Sequence, residues 1–545
     1  MWRTHEVFNQ VPALADFDLF GSDAALQEAV ALHGAGWHAG ALAAQGGQLG
    51  SAATLRLADL ANRHPPELMT HDRSGRRVDR VEFHPAWAEL MRMLYADGVH
   101  SSAWLDPRPG AHVARAASFY LHGQAEAGSL CPVTMTFASL PVLRREPALF
   151  AQLESGFRSH EYDPQDAPLS RKTSLTIGMG MTEKQGGSDL RGNTTQATAN
   201  GRAAGGLRTY TLVGHKWFFS VPTCDAHLVL ARTGEALSCF YVSRWLPDGN
   251  RNAVRILRLK DKLGNRSNAS AEVEFEDAIG VLVGDEGRGI ATIMEMAAQT
   301  RLDCVLGSAA LMRRALVEAI HHARHRSAFG RLLAEQPLMQ SVLADLALES
   351  EAATALAMRL AASVDGSDES LRERAYRRIV TPAAKFWICK RAIAFAAECM
   401  EVWGGNGYVE DGPMARIFRE APVNSIWEGS GNVMCLDVLR AVAREPDARE
   451  ALLQDFGETT AGEPLLDRAL AALSSALRSP TDSERLARRT ATQLVLLAQA
   501  ALLRRHAPEP IADAFIASRF DGSGQVAGLT ELPDAATILA RAWPG

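Results

Sequence analysis

The sequence lacks the features of a membrane-spanning or exported protein. No stretch of about 18 consecutive apolar residues occurs, so no membrane-spanning helix is predicted. The start, residues 1–6, has no basic segment followed by an apolar run, and we expect no secretory signal. The 57 Lys and Arg nearly balance the 63 Asp and Glu, giving a net charge of −6. This balance argues against a surface that is basic throughout, although a local basic patch remains compatible with it.

Cysteine is scarce, and its spacing argues against a disulfide framework or a metal site. The cysteines are odd in number, widely spaced and without a C-x-x-C pair: Cys131, Cys224, Cys239, Cys304, Cys389, Cys399 and Cys435. In a chain of 545 residues this pattern is typical of reduced, buried thiols. It predicts a cytoplasmic protein with no bound metal.

The length and the periodicity of apolar residues divide the chain into four regions. At about 100–200 residues per domain, 545 residues predict three or four domains. Three- and four-residue spacings over 1–178 predict an N-terminal helical domain. Residues 179–282 hold short period-two runs rich in β-branched and aromatic residues, with strands predicted at 208–213, 227–232, 237–244, 254–259 and 271–276. No helices of 10–15 residues separate these runs, so we expect an antiparallel barrel or sandwich.

The helical period returns after the β-domain and continues almost to the end. Residues 283–440 predict a four-helix bundle with helices at 306–325, 336–364, 371–402 and 432–444. Residues 441–545 predict a C-terminal helical domain with helices at 465–477, 483–505 and 510–518, followed by a Gly-rich tail. The predicted fold class is therefore mainly α with one central antiparallel β-domain.

The first segment with chemical potential is residues 178–189, where helices give way to strands. Its glycines would let the backbone approach a planar or anionic ligand closely. Thr182 and Ser188 would add hydroxyl donors. The alternative is a flexible interdomain loop.

The second segment, residues 214–220, contains three adjacent aromatic residues. Trp217, Phe218 and Phe219 could wall a flat ring system while Ser220 donates a hydrogen bond to it. The alternative is that these rings belong to the core of the β-domain.

The third segment, residues 425–432, carries one carboxylate. Glu428 lies beside Trp427 and before Gly429, and a carboxylate between apolar walls can serve as a general base. The alternative is a carboxylate at a helix start, stabilised by the helix dipole. The histidines at 321, 322 and 325 share a helix face, but the spacing lacks the glutamate of H-E-x-x-H, and a solvated helix end is favoured over a metal site.

Taken in order, these segments resemble the acyl-CoA dehydrogenases, FAD flavoproteins built from a helical domain, a β-barrel and a four-helix bundle. Five stretches carry the resemblance: 181–189 is similar to T-E-P-x-A-G-S-D, 216–220 to K-x-W-I-T-N, 326–330 with 336 to R-x-x-F-G…Q, 401–408 to Q-x-x-G-G-x-G-Y, and 427–429 to Y-E-G. Stretches 4–10, 126–132, 262–270 and 424–432 resemble the AidB-like branch more closely. Members of that branch belong to the bacterial alkylation response and carry an extra C-terminal helical domain.

The resemblance implies a role for each matching residue. Glu428 matches the base that removes the α-proton of an acyl-CoA. The FAD-binding residues that it implies are Met181, Thr182, Gly187, Ser188, Phe218, Phe219, Ser220, Ile426, Trp427, Gly429 and Asn432. A further set is expected to reach FAD held largely by a neighbouring subunit, which implies a homo-oligomer and usually a tetramer: Arg326, Phe329, Gly404 and Gly405.

Some positions depart from the family pattern. Phe219 is expected at the family's threonine, which would remove a hydroxyl facing the flavin, and Glu401 replaces its glutamine and adds a charge. Lys184, Gln185 and Gly186 also differ from the family's loop. These changes predict weak turnover of ordinary acyl-CoA substrates with FAD binding retained.

The sequence leaves two functions open. One is an AidB-like protein that binds double-stranded DNA and protects it from alkylating agents, with weak dehydrogenase activity on a short or branched, isovaleryl-CoA-like substrate. The other is an ordinary metabolic acyl-CoA dehydrogenase without DNA binding. Nitroalkane oxidation is disfavoured, because that related activity uses Asp where Glu428 stands.

The basic residues that could contact DNA lie near the C-terminus. Residues 440–545 hold 12 Arg and no Lys against 14 Asp and Glu. Any phosphate-binding surface must therefore be a stripe rather than a whole face. The predicted DNA-binding residues are Arg440, Arg444, Arg485, Arg488 and Arg489, although arginines in such clusters can equally form a solvated face or intersubunit ion pairs.

Overall fold

The computed structural model describes residues 2–366, 368–478, 483–521 and 526–543. Parts of the predicted Gly-rich tail, residues 522–525 and 544–545, lie outside the described residues. Within the described residues, no helix is both long enough and apolar enough to cross a membrane. The chain divides into two compact units. The first comprises residues 1–52, 112–125 and 304–545, and the second comprises residues 53–111 and 126–303.

Helices account for most of the regular structure. They are α1 (Ala24–Leu32), α2 (Ala39–Leu49), α3 (Ala52–Arg63), α4 (Pro85–Ala96), α5 (Ser102–Leu105), α6 (Ala111–Ala125), α7 (Leu130–Leu143), α8 (Pro147–Arg158), α9 (Gly289–His325), α10 (Pro337–Asp365), α11 (Leu371–Ala375), α12 (Thr381–Val402), α13 (Gly405–Tyr408), α14 (Met414–Asn424), α15 (Gly431–Arg444), α16 (Pro446–Thr460), α17 (Pro464–Arg478), α18 (Ser483–His506), α19 (Glu509–Phe520) and α20 (Ala535–Ala542). A π-helical turn at Tyr376–Val380 joins α11 to α12, where the sequence predicts one continuous helix.

The strands form one large sheet and two hairpins. They are β1 (Glu67–His71), β2 (Arg77–Glu82), β3 (Ile177–Gly180), β4 (Gln196–Arg202), β5 (Arg208–Ser220), β6 (Ala226–Thr233), β7 (Ala236–Ser243), β8 (Val254–Leu259), β9 (Ser270–Val283), β10 (Ser327–Ala328) and β11 (Arg331–Leu332). The β1–β2 hairpin lies within the region predicted to be helical, and its charged, mostly exposed residues explain why period two was weak there.

The seven-stranded sheet of the second unit closes into a barrel. Its order is β3-β6-β4-β5-β9-β7, with β8 paired to β9, and β7 pairs with both β9 and β6. Most neighbours are antiparallel, as predicted, but β3 pairs with β6 in parallel, so the sheet is mixed. Leu212, Phe240, Ile256 and Val273 fill the interior, and each is fully buried. A closed sheet leaves few unpaired strand edges and gives the adjoining loops a rigid base.

The first unit is helical, and it includes the C-terminal region. Helix α18 packs against α10, α12 and α15, and its Leu494, Val495 and Leu497 are fully buried. Ion pairs between Arg519 and Asp345 and between Arg541 and Glu351 join the chain's end to α10. The described residues after 440 therefore share one unit with the bundle helices, while the predicted boundaries at 178, 282 and 440 stay predictions.

Candidate functional site

The loop at residues 181–189, in the second unit, is held by one buried carboxylate. Glu183 forms an ion pair with Lys216, with 2.7 Å between Oε1 and Nζ, and both side chains are fully buried. Glu183 also accepts bonds from the backbone N–H and hydroxyl of Thr194 (2.7 and 3.0 Å) and of Thr195 (3.2 and 2.6 Å). Lys216 donates a second bond to the carbonyl of Leu230 on β6, at 2.8 Å. A loop anchored in this way does not fit the alternative of a flexible interdomain connection.

The buried pair is charged at neutral pH. Burial alone would raise the pKa of Glu183, but the Lys216 ammonium and the donors of Thr194 and Thr195 outweigh it and hold the pKa at about 2. Burial lowers the pKa of Lys216 to about 8, against the opposing effect of the Glu183 carboxylate. Each charge is thus stabilised chiefly by the other.

Backbone contacts fix the same loop beside β5. The Trp217 N–H donates to the Thr182 carbonyl at 2.8 Å, and Asn193 Nδ2 donates to the Met181 carbonyl at 2.8 Å. A Cβ at Gly187 would lie 2.3 Å from Thr182 Oγ1, so this position requires glycine. Among the described residues, the hydroxyls of Thr182 and Ser188 have no hydrogen-bond partner, and Ser188 is exposed. Both hydroxyls are therefore available to a ligand.

Phe218 and Phe219 lie on opposite faces of β5. Phe218 is 51% exposed, whereas Phe219 is 2% exposed and stacks on His227 with ring centroids 3.7 Å apart. The prediction that Phe219 lies against the flavin in place of the family's threonine is wrong, because its ring belongs to the barrel core. Strand alternation instead places Ser220 on the face of Phe218, so a hydroxyl is retained there. Of the two earlier alternatives, core packing holds for Phe219 and an exposed ring for Phe218.

In the first unit, Glu428 lies in the short segment between α14 and α15, residues 425–430, which is called the Glu428 segment below. Its backbone has a φ of +58°, in the left-handed region, and its side chain is half-buried. Gly429 follows with a φ of +112°, which an L side chain rarely adopts. Helix α15 begins at Gly431 after the cap residue Ser430, so Glu428 precedes the first helical turn. Glu428 therefore lies two residues before the cap and outside the first turn, where the effect of a helix dipole on a carboxylate is strongest.

Three contacts hold the Glu428 segment in place. Lys385 of α12 is 1% exposed, and its Nζ donates to the carbonyls of Trp427 at 2.7 Å and of Gly429 at 2.5 Å. Trp427 Nε1 donates to Asn424 Oδ1 at 3.0 Å. Ile426, a predicted flavin contact in the same segment, is 64% exposed and presents an apolar side chain to solvent.

Asn432 is joined to a residue predicted to bind DNA. Arg488 Nε of α18 donates to Asn432 Oδ1 at 2.8 Å, and its guanidinium lies 5.7 Å from the centroid of the Phe386 ring. One side chain thus connects the segment predicted to bind FAD with the arginines predicted to bind DNA. A substitution at Arg488 would therefore affect both the predicted FAD-binding segment and the predicted DNA-binding surface.

The residues predicted to reach a neighbouring subunit's FAD are exposed, with one exception. Phe329, at the tip of the β10–β11 hairpin, is 98% exposed with a φ of +53°. Gly404 and Gly405 are exposed as well. Arg326 instead donates from Nη1 to the carbonyl of Asn9, at 2.5 Å, within its own chain.

The histidines at the end of α9 have separate contacts. His321 Nε2 lies 2.9 Å from the Pro12 carbonyl, and His325 Nδ1 lies 2.8 Å from the His321 carbonyl. His322 stacks on Trp403, with centroids 4.9 Å apart, and burial lowers its pKa to about 4. The three rings thus make separate contacts, and Nδ1 of His322 is buried without a hydrogen-bond partner among the described residues.

Sequence reasoning missed the two lysines that hold the candidate segments. Lys216 and Lys385 are the buried lysines of the described chain. Each stands in an apolar or aromatic stretch, Lys216 before Trp217 and Lys385 between Ala384 and Phe386. A buried lysine needs polar partners, so a single lysine within an apolar or aromatic stretch was a sequence pattern that could have identified both residues.

Comparison with protein families identifies the family. Residues 9–164 match the N-terminal domain of the adaptive response protein AidB, residues 178–278 the middle domain of acyl-CoA dehydrogenases, and residues 287–443 their C-terminal domain. The AidB protein of Escherichia coli (strain K12) is 53% identical over 527 residues, with 96% of each chain covered. The chain therefore belongs to the acyl-CoA dehydrogenase family, in its AidB-like branch. Membership makes it an FAD-dependent oxidoreductase.

Solved structures confirm the predicted fold class. The apo form of Bd2924 has a TM-score of 0.84 and 29% identity, covering 92% of this chain and all of that chain. Caenorhabditis elegans ACDH-11, solved with C11-CoA, has a TM-score of 0.83 and 26% identity, covering all of this chain and 94% of that chain. The architecture is that of the acyl-CoA dehydrogenases.

The second unit's residues fit the isoalloxazine ring of FAD. The exposed face of Phe218 offers an apolar surface for a planar ring. The free hydroxyls of Thr182, Ser188 and Ser220 offer donors for its polar edge, among the residues that the structure describes. Phe219 contributes no side chain to this surface.

Breaking the Glu183–Lys216 pair should destabilise the β-barrel strongly. We expect Lys216→Met to lower the free energy of unfolding by about 3–5 kcal/mol, because it leaves a buried carboxylate without its counter-charge. The double variant Glu183→Met/Lys216→Met should recover much of the loss, since no unpaired charge remains. Urea unfolding followed by circular dichroism measures both.

The same pair predicts acid sensitivity. The pKa of Glu183 is lower in the folded state than its ordinary value of 4.5, so its stabilisation is present at neutral pH and is lost as pH falls from about 4.5 towards 2. The double variant should show a smaller loss over this window. Equal stability of all three proteins would show that the pair does not hold the loop.

Proposed function

We propose that this chain oxidises an acyl-CoA with a short or branched, isovaleryl-like acyl chain, and that it also binds double-stranded DNA and protects it from alkylating agents. The observation that supports the first activity is the fixed Glu428 segment, which presents a half-buried carboxylate beside Trp427 and Ile426. ACDH-11, to which the chain is similar over its whole length, is solved with an acyl-CoA. The acyl-CoA class of substrate follows from the two together.

In this proposal each group has one task. Glu428 removes the proton from the carbon next to the thioester carbonyl, and the anchored segment holds its carboxylate in position for the transfer. Thr182, Phe218 and Ser220 orient the isoalloxazine ring. When bound, FAD supplies the acceptor for the hydride that leaves the neighbouring carbon. Trp427, which is half-buried beside the base, limits the access of water to it.

Of the substitutions at Phe219 and at Glu401, which were expected to weaken turnover of acyl-CoA substrates, only the one at Glu401 still applies. Ser220 retains a hydroxyl on the exposed face of β5, so the loss expected from Phe219 does not apply. Glu401, which is exposed at the end of α12, still adds a charge where the family has glutamine. We propose weak rather than absent activity on this ground.

Glu428→Gln should separate flavin binding from proton removal. Glutamine keeps the shape of the side chain but cannot accept the proton, so anaerobic reduction of the flavin by an acyl-CoA should slow by about 10²-fold or more. FAD content should stay near that of the wild type. Stopped-flow absorbance measures the rate, and reduction at the wild-type rate would remove Glu428 from the catalytic role.

We also propose a homo-oligomer, most simply a tetramer, in which Phe329 meets a second copy. A phenylalanine that is 98% exposed on a hairpin with a left-handed φ is costly in a monomer. Phe329→Ala should weaken assembly and FAD retention together, because binding and association reinforce each other by linkage. Light scattering and flavin absorbance check this; a wild-type monomer that holds FAD would contradict it.

Arg468 donates to the Pro464 carbonyl and Arg488 to Asn432, and the other arginines after residue 439 fall into two groups. One group is paired with carboxylates within 4 Å: Arg449, Arg478, Arg504, Arg505, Arg519 and Arg541. Arg444, Arg485 and Arg489 are exposed and have no carboxylate partner among the described residues, and Arg440 reaches Asp437 only at 4.0 Å. These four lie on α15 and α18, which pack against each other. Phosphate binding requires exposed arginines on adjacent helices, and three of these four have no carboxylate partner among the described residues; this supports the DNA proposal.

The DNA-binding test should spare Arg488, because Arg488 holds Asn432. We expect Arg485→Ala/Arg489→Ala to weaken binding of unrelated duplexes equally, since contacts to phosphates carry no sequence information. Loss of two phosphate contacts should reduce the slope of log affinity against log salt by about 1.8. Flavin content should not change. Fluorescence anisotropy over a salt series measures the slope.

The matched control is Arg449→Ala/Arg478→Ala, which removes the same charge from arginines already paired with Glu450. It should leave the slope close to the wild-type value. A wild-type protein that does not bind duplex DNA at low salt would leave the alternative, an acyl-CoA dehydrogenase without DNA binding. Equal effects of both double variants would show that net charge, rather than this surface, drives binding.

A further inference from the structure

We infer that Lys385 is the positioning residue of the proposed base: it holds the backbone on both sides of Glu428 and so fixes where the carboxylate points. This inference rests on the proposed role of Glu428. Lys385 comes from α12, more than 40 residues before the segment that it holds. None of the five stretches that resemble the family includes it.

The two hydrogen bonds of Lys385 lie on either side of a single residue, Glu428. Lys385 Nζ donates to the carbonyl before Glu428, that of Trp427, at 2.7 Å, and to the carbonyl after it, that of Gly429, at 2.5 Å. Two bonds from one ammonium group to carbonyls two residues apart restrict the dihedral angles of the residue between them. That residue has a φ of +58°. The unusual backbone of Glu428 and the lysine contacts are therefore parts of one arrangement.

The arrangement costs energy at two points, and the contacts offset that cost. A left-handed glutamate costs of the order of 1–3 kcal/mol and persists only when its surroundings enforce it. The Lys385 side chain is 1% exposed and has no carboxylate partner among the described residues, so the two carbonyls are the polar partners of its buried ammonium group. Neither feature is expected in a segment that only connects two helices.

The fixed orientation of Glu428 also favours proton removal. A carboxylate in a fixed orientation has less freedom to lose when it meets the α-carbon of a substrate. Without the lysine contacts, the segment could relax to an ordinary backbone conformation and turn the Glu428 side chain elsewhere. The structure thus assigns Lys385 an effect on the rate of proton removal and none on substrate affinity.

The first test measures the segment itself and needs no activity. In Lys385→Met, amide hydrogen exchange of the peptide spanning residues 424–431 should quicken by about tenfold or more, because local opening becomes easier. Exchange within α14 and α15 should change little. Lys390→Met is the matched control, because it removes the same charge from the same helix without a hydrogen bond to this segment. Unchanged exchange in residues 424–431 would overturn the anchoring role, whatever the activity.

The second test measures the consequence for chemistry. Lys385→Met should slow the limiting rate of flavin reduction by about 10²-fold, as expected when a base is misplaced, and leave the half-saturating acyl-CoA concentration unchanged. In the Glu428→Gln background the same substitution should have no further effect, because it acts through the base that is already lost. Additive losses in the double variant, or a wild-type rate in Lys385→Met, would overturn the positioning role.

One combination of results would distinguish failure of the proposed function from failure of the anchoring role of Lys385. A wild-type protein whose flavin no acyl-CoA reduces, together with faster exchange in Lys385→Met, would overturn the proposed function and support the anchor. If Lys385→Met does not fold, Lys385→Gln keeps an uncharged NH₂ donor on a shorter side chain and should give intermediate exchange and an intermediate rate. Values for Lys385→Gln equal to those of the wild type would contradict the need for a lysine at this position.

Discussion

Two buried lysines hold the two candidate segments of the site. Lys216 pairs with Glu183 and fixes the start of the 181–189 loop on the β-barrel, while Lys385 holds the carbonyls on either side of Glu428. A buried ammonium group without its partners is very costly, so each lysine forces the chain around it into one arrangement. These contacts therefore hold the 181–189 loop and the segment around Glu428 more rigidly than is usual for loop residues.

The sequence predicted the elements better than their contacts. The strand at 254–259 and the helices near 337–365 and 431–444 were recognisable because apolar residues recur with a clear period. The parallel pairing of β3 with β6 was not, since β3 is short and fully buried and shows no alternation. Phe219 was misplaced because the irregular register between Lys216 and Phe219 hides which aromatic residue faces the core. The partner of Lys385 lies too far along the chain for any local pattern to show it.

The C-terminal helices do more than extend the chain. Helix α18 buries its apolar residues on the bundle and presents Arg485 and Arg489 to solvent, while Arg488 turns to Asn432. Most other arginines of this region are neutralised by carboxylates, so an acidic region can still carry a local basic surface. Composition alone could not reveal that division, because it depends on which arginines find partners in the fold.

The central claim is that this chain is a flavoprotein whose bound flavin is reduced by an acyl-CoA. The visible absorbance spectrum of the purified protein, recorded without oxygen before and after addition of an acyl-CoA, tests it most directly. We expect a yellow protein with close to one FAD per chain, and slow bleaching of the flavin bands by a short or branched acyl-CoA. A colourless protein that cannot be reconstituted with FAD, or a flavin that no acyl-CoA bleaches, would contradict it.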